Sequence, residues 1–500
     1  MNSRRYQPVL NRHQDMILPM RVEDYVSPTN TVRAIDAYVG TLNLTAQGYK
    51  HSQFVAASGQ PAFNPAVLLK LYLYGYMQRI HSSRRLEREA VRNLELMWLV
   101  EGTKPTYKTI ADFRKNNSTA LKATHRDFVL LCKELNLFGD EEVGVDGSFF
   151  KADTSKSPIY TAEKLDKQLS QLEKKIQAYQ EALEKQDAAD DATGKGSLSD
   201  DAQLAEKIKR LQEKQAEKQK LQQQLKDSGN KQISTVDEDA RLLTKRGQTM
   251  GGYNVQIVVD DKHKLIVADE VTQDGNDTAQ LAPMLAKAQE ILQSENLAAT
   301  ADSGYFDGNQ IKTCEENNIT VYVAVPDKSK RIAEQGRFTR EQFSYDAEQD
   351  CYVCPQGNTL NRCGQLQNRE NKHYIRYKSK ASVCGQCPLR SQCLGEKTKL
   401  RQIERWEHQA VVDRHKQRMK QRPDAMKKRG ALVEHPFGTL KNRAGSQHFL
   451  MRGLEKCRGE FSLMTLAYNF TRVLNILGID KLRDYCVQRS NNALKTVQYA

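Results

Sequence analysis

The sequence predicts an α/β core that is interrupted twice and preceded by a helical domain, and three patterns carry that reading. After residue 250, apolar strands and amphipathic helices follow one another as strand, strand, helix, strand, helix, strand, which requires a sheet with at least one parallel pairing. Between about 160 and 230, apolar residues recur at alternating spacings of four and three, the seam of a coiled coil. Six of the ten cysteines fall between Cys351 and Cys393, which marks a second insertion of different composition.

Length and charge bound the alternatives. At 500 residues the chain is long enough for two to four domains, so a disulfide miniprotein is excluded. Apolar residues make up 39% and charged residues 28%, and no apolar run approaches the roughly 20 residues that span a bilayer. Met1-Asn2-Ser3-Arg4-Arg5 leads only to a short apolar patch at Met16 to Met20, too short for a secretory signal, so the expected location is the cytoplasm. Lys and Arg number 76 against 62 Asp and Glu, a net charge of +14 that points to a polyanionic partner, nucleic acid before membrane.

Residues 1–135 read as a helical domain. Pro65 to Ile80 is apolar at helical spacing, and Ser82-Ser83-Arg84-Arg85-Leu86-Glu87 opens a second helix behind a cap. Lys104-Pro105-Thr106-Tyr107 is a turn, and Thr109 to Lys115 begins a third helix rich in Arg and Lys. Short helices joined by tight turns, with basic residues on the last, suit a helix-turn-helix-like DNA reader, although such helices also occur where no nucleic acid binds.

Val143 to Phe150 is a strand carrying one acid, Asp146. Leu165, Leu169, Leu172, Ile176, Tyr179 and Leu183 then form the first seam; Asp187 to Asp201 breaks it, and Leu204 to Leu225 resumes it. Two helices around one polar turn make an antiparallel coiled-coil insertion over 159–231. Within it, Thr161 to Asp227 carries 13 Lys and Arg against 14 Asp and Glu, so the basic excess lies elsewhere. Strands return at Tyr253 to Asp260 and Leu265 to Val271, paired across the polar turn Asp261 to Lys264. A helix over Thr278 to Gln293, a strand at Ala298 to Ala301, a helix to about Asn317 and a strand at Thr320 to Val325 complete the pattern. The core is therefore discontinuous, comprising 140–158, 232–328 and 425–480.

The second insertion covers 335–400. Cys351-x2-Cys354 and Cys384-x2-Cys387 each place two thiolates near one turn, a spacing that favours structural zinc over disulfides in a cytosolic protein, with Cys363 and Cys393 as further candidate ligands. Cys132, Cys314, Cys457 and Cys486 stand in apolar contexts and are expected to pack as small hydrophobes. The segment 401–424 reads as a basic helix, part of a stretch from Arg401 to Gly430 with ten Lys and Arg against four acids. A solvated helix face is the plain explanation unless a neighbouring site gives the charge a task.

Three acids have contexts of their own. Asp146 lies in an apolar strand, Asp302 at a strand end before Ser303-Gly304, and Glu434 within Leu432-Val433-Glu434-His435-Pro436-Phe437. Each alone is explained as a turn former or cap. Together, carboxylates from two strands and one helix match the oxygen ligands that a pair of hard divalent ions requires to clamp a reacting phosphate.

At this point the chain resembles the DDE transposases of bacterial insertion sequences, in the branch with a helical N-terminal domain and a cysteine-rich insert. The resemblance runs in order from about residue 60 to 475. It rests on Arg79 to Glu87, Thr109 to Lys115, Val145-Asp146-Gly147-Ser148, Gly252 to Gln256, Ala301-Asp302-Ser303-Gly304-Tyr305 and Glu434 to Lys441. It implies an RNase H-like core with Asp146, Asp302 and Glu434 as the triad that holds Mg²⁺ or Mn²⁺. Lys441 stands seven residues after the Glu, where the family often has a lysine. The family's usual Arg four residues before the Glu is replaced by Gly430, with Arg429 and Lys428 beside it. Lys441, Arg443, Arg429 and Lys428 are accordingly the expected DNA contacts. The implied partners are double-stranded DNA, as terminal inverted repeats and as target, with a homodimer or larger assembly at synapsis in a nucleoid-associated protein. The competing readings are a nuclease on the same core without strand transfer, and a non-enzymatic zinc-containing DNA-binding protein.

Overall fold

The computed structural model describes residues 21–53, 61–139, 142–193, 198–245, 247–327, 329–364, 367–369 and 372–498. The apolar patch at Met16 to Met20 and the first five residues lie outside this set, as do 140–141 and 194–197. The chain forms two compact units, one of Met1–Leu131 with Thr439–Ala500 and one of Cys132–Gly438.

The first unit begins with helices α1 (Thr31–Gly40), α2 (Pro65–Met77), α3 (Ser83–Arg92), α4 (Leu94–Leu99), α5 (Tyr107–Asn116) and α6 (Ser118–Glu134). Helix α2 starts where Asn64 accepts from Ala66 N at 2.9 Å with Pro65 in the first turn, and its apolar surface on all sides makes it the buried helix of the group. Thr106 caps α5 by accepting from Thr109 N. Ser82 occupies the N-cap position of α3 but makes no capping hydrogen bond, unlike the sequence expectation.

The second unit is mixed α/β. Its elements begin with β1 (Glu142–Lys151), β2 (Ile159–Thr161), α7 (Ala162–Thr193), α8 (Leu198–Ser228) and β3 (Gln232–Ser234). Strands β2 and β3 pair antiparallel at the base of the helical hairpin. Leu165 of α7 packs with Leu221 and Leu225 of α8, so the seam residues do meet. Next come β4 (Arg241–Lys245), β5 (Gln248–Asp260), β6 (Ile266–Thr272), α9 (Leu281–Leu292), β7 (Ala298–Ala301), α10 (Gly308–Glu316) and β8 (Thr320–Val323). The sheet runs β5, β1, β7, β8, with β6 and β4 also on β5. β1 is antiparallel to β5 and parallel to β7, and β7 is parallel to β8. Val255, Ile257, Val258 and Val259 of β5 are fully buried, which fits a central strand.

The chain then leaves this sheet through α11 (Lys330–Glu334) and builds a second one from β9 (Ser344–Asp346), β10 (Cys351–Val353), β11 (Thr359–Arg362), β12 (Gln367–Arg369) and β13 (Lys372–Lys378). The short helices α12 (Ala381–Gly385) and α13 (Arg390–Cys393) lead to β14 (Gln402–Trp406), which pairs with β13. Phe343, Tyr352, Leu360, Tyr377 and Ile403 form its core. Helices α14 (Gln409–Gln421) and α15 (Ala425–Gly438) end the unit.

One expectation is corrected here, and a second at one residue. The segment 401–424 is not a continuous helix, because β14 completes the second sheet before α14 starts. Its arginines are also largely engaged: Arg405 is buried over Tyr345 and bonds Tyr352 and Asp413, while Arg414 and Arg418 pair with Glu315 and Arg422 with Glu142. Of the expected zinc ligands, Cys351 stands apart, whereas Cys354, Cys384 and Cys387 lie near Cys393, whose thiol is pushed up by burial and by these three neighbours. Cys351 is held extended in β10 by pairing on both sides and is 3% exposed, whereas the tight turn begins only at Cys354, whose carbonyl accepts from Gly357 N at 2.8 Å. Cys363 is exposed, and Cys354 and Cys393 pack against the apolar core of the sheet. Among the described residues no group of three His, Cys, Asp or Glu side chains is set in a geometry that holds a metal ion. Cys132, Cys314, Cys457 and Cys486 are buried, as expected.

After α15 the chain passes through the π-helical turn Thr439–Arg443 into α16 (Leu454–Leu477) and α17 (Ile479–Gln498), which pack with α1 and α2 in the first unit. Arg114 of α5, one of the basic residues of the third helix expected from the sequence, is buried. Its Nη1 lies 3.4 Å from Glu460 of α16, and Tyr76 donates to the same carboxylate.

Candidate active site

Register brings two of the expected acids together. The parallel pairing of β1 and β7 sets Gly144 opposite Thr300, so two residues further on Asp146 and Asp302 reach the same level, at the end of β7. Such strand ends are where open α/β sheets place their ligands. Asp302 starts a 3₁₀ turn and accepts from Gly304 N at 2.8 Å, which fixes its carboxylate at the mouth of the strand.

Helix α15 supplies the third side of the site. Leu432 and Val433 press onto β1 at Gly144, where an added Cβ would come within 2.7 Å of Val433 and 2.8 Å of Leu432, so the glycine allows the helix its close approach. One turn earlier, Arg429 Nη2 donates to Asp146 Oδ1 at 2.6 Å and lies 3.5 Å from Asp302 Oδ2. Glu434 is on the same helix but exposed, its Oε1 3.7 Å from where a Cβ on Gly430 would stand, and it makes no contact with the aspartates. Asp146, Asp302 and Arg429 are thus gathered, and Glu434 is not joined to them. Lys428 pairs with Asp424 on the surface. Lys441 and Arg443 belong to the first unit.

A layer of polar side chains that the strand pattern hides lies behind the pair. Asn254 and Gln256 alternate along β5 and are fully buried. Both donate to Asp277 Oδ1 at 2.7 Å, and Gln256 Oε1 accepts from Tyr305. Gly147 makes room for this layer: a Cβ there would lie 2.5 Å from Gln256 Nε2, 2.6 Å from Asp277 Oδ1 and 3.0 Å from the Tyr305 hydroxyl. The one available signal was the pair of amides in an otherwise apolar strand; Asp277, in a polar loop, has no periodicity to mark it.

The electrostatics fit a hard cation. Burial pushes the Asp146 carboxyl up to about 6, opposed by Arg429 and reinforced by the charge of Asp302. Burial, with Asp277, Asp146 and Asp302 around it, pushes the Tyr305 hydroxyl well above its usual range, so it remains a donor. Oxygen donors short of compensating positive charge are the set that Mg²⁺ or Mn²⁺ prefers.

A carboxylate pair on two adjacent parallel strands, one within β1 and one at the end of β7, braced by a helix arginine, defines a class of mixed α/β protein equipped for chemistry at a charged centre. Residues 212–470 match the model of the transposase DDE domain, and residues 20–116 match a second transposase domain, DUF772. The chain belongs to the DDE transposases, of the insertion-sequence type. The first match includes Asp302 and Glu434, whereas Asp146 precedes it. No curated protein matches the chain. Among solved structures, a piggyBac transposase synaptic complex with hairpin DNA is 9% identical, with a TM-score of 0.30 over 93% of this chain and 79% of that one, a likeness too loose to define the fold. No helix among the described residues is long and apolar enough to cross a membrane.

Proposed function

We propose that the protein cleaves the ends of an insertion sequence and joins them to target DNA, with Asp146, Asp302 and Glu434 as the acids that hold Mg²⁺ or Mn²⁺ in an RNase H-like core. The observation that carries this reading is the shared level of Asp146 and Asp302 with Arg429 between them. The strand order β6, β5, β1, β7, β8, with the first three antiparallel and the last three parallel, supports the RNase H-like assignment.

The cation, when bound, supplies charge stabilisation at the reacting phosphate. The chain's own residues do the positioning. The 3₁₀ turn after Asp302 fixes that carboxylate, and the Leu432 and Val433 contact fixes α15, the helix that also carries Glu434. Arg429, released from the acids, faces the phosphate backbone as a bidentate donor. Lys441 and Arg443 contact phosphates further along the duplex, and binding falls steeply with salt. The N-terminal helices read the terminal inverted repeats. Because two ends are processed together, the working form is a homodimer or larger.

A labelled terminal-repeat duplex incubated with the protein, Mg²⁺ and a target plasmid tests the proposal. Joined product is expected; cleavage alone would leave a nuclease, and retention alone a DNA-binding protein. Asp302→Asn is expected to abolish cleavage and joining, and unchanged activity would remove the triad.

A further inference from the structure

Asp277 lies in the loop between β6 and α9, outside the three acids of the proposed triad, and its surroundings are unusual for a loop aspartate. One oxygen accepts from two fully buried amides, Asn254 and Gln256, and Gln256 is in turn bonded to Tyr305. Among the described residues no Lys or Arg pairs with it. Its two oxygens face the two strand ends: Oδ1 is 2.6 Å from the Cβ position of Gly147, next to Asp146, and Oδ2 is 3.6 Å from that of Gly304, whose N–H holds Asp302.

A neutral acceptor satisfies two amides as well as a carboxylate does, without the cost of placing a third negative charge beside two others. Asp277, Asp146 and Asp302 all place negative charge beside Tyr305, while Arg429 reaches Asp146 and Asp302 and Lys245 acts on Asp146 from further off. A divalent cation adds positive charge beside these three acids.

We propose that Asp277 is a positioning residue of the catalytic site, whose charge sets how tightly Asp146 and Asp302 hold their divalent cation and whose bonds to Asn254 and Gln256 keep Tyr305 in place behind them. This rests on the reading of Asp146 and Asp302 as the cation-holding pair. Asp277→Asn tests it, because the amide retains an oxygen for Asn254 and Gln256 but removes the charge.

The full-length protein is titrated with Mn²⁺ by calorimetry, and the Mg²⁺ concentration for half-maximal cleavage of a terminal-repeat duplex is measured in parallel. Asp277→Asn is expected to weaken Mn²⁺ binding and to raise the Mg²⁺ requirement, each by about tenfold. Its cation-free melting temperature is expected not to fall, which a purely structural role does not allow. Where that variant fails to fold, Asp277→Ser, which also keeps an oxygen acceptor, carries the same expectation. Wild-type Mn²⁺ affinity and Mg²⁺ dependence in the folded neutral variant would overturn the proposal. Asp302→Asn separates the two levels: if it binds Mn²⁺ as the wild type does, the cation-holding pair itself is wrong.

Discussion

Asp146 and Asp302 stand at one level of two adjacent parallel strands, and a single nitrogen, Arg429 Nη2, reaches both, at 2.6 Å and 3.5 Å. The guanidinium occupies the position of positive charge that two neighbouring carboxylates demand. A cation arriving there has to take over that role, so arginine and metal ion are expected to be linked thermodynamically.

Arg429→Ala leaves the two carboxylates without this partner. Because Asp302 is 44% exposed, the expected cost is modest, about 1–2 kcal/mol. Thermal unfolding with and without Mg²⁺ checks it: the variant is expected to gain more from the ion than the wild type does. Equal gains would show that arginine and cation do not share the site.

Gly147→Ala drives a methyl group into Gln256, Asp277 and Tyr305, none of which is the free end of a surface chain. Overpacking of this kind costs about 1–3 kcal/mol. Cleavage of the terminal-repeat duplex is expected to drop by at least about tenfold, since displacement of the reacting geometry is costly. A variant with wild-type stability and rate would mean that the polar layer behind Asp146 is pliable.

Asp260 closes the β5–β6 hairpin, accepting from Gly139 N at 2.7 Å and His263 N at 3.1 Å, and burial pushes its carboxyl up to about 6. An acid whose folded pKa exceeds the roughly 3.9 of the unfolded chain holds its proton more tightly when folded. Its contribution to stability is therefore greatest below about 4, declines as pH rises toward 6, and is level above, a change of up to about 3 kcal/mol. Melting curves of wild type and Asp260→Asn from pH 4 to 7 isolate this term. The variant is expected to gain on the wild type across that window, and a constant difference would refute the assignment.

In the first unit, Glu460 is fully buried and accepts from Tyr76 and from Leu450 N and Met451 N, with Arg114 alongside. Removing one member of such a buried charged pair costs about 3–5 kcal/mol, which is the loss expected for Glu460→Ala in denaturant unfolding. A loss below 1 kcal/mol, on the same order-of-magnitude basis, would show that Arg114 finds water instead.

The elements legible in the sequence were those whose periodicity is local. The short apolar strand Val143 to Phe150, the turn at Asp261 to Lys264 and the seam from Leu165 to Leu225 are each written in neighbouring residues, and they appear as β1, the β5–β6 hairpin and α7–α8. The short edge strands β2, β3 and β4 were missed, because they exist only through pairing with residues far along the chain. The cysteine spacing misled at Cys351 for a related reason: it is in a strand because of partners at Asp346 and Asn361, and spacing alone carries no record of them.

The same division holds at the site. The sequence by itself determined the family, the apolar-strand context of Asp146, the strand-end context of Asp302, and the helix that carries Glu434. Only the tertiary structure decided that Arg429 lies between the aspartates, that Arg114 and Arg405 are buried partners of acids, and that Asp277 joins the site behind Gly147. The physical reason is that a charge's role depends on distance and burial, which are fixed by strand register and helix docking across hundreds of residues. Periodicity, in contrast, is fixed by the nearest few.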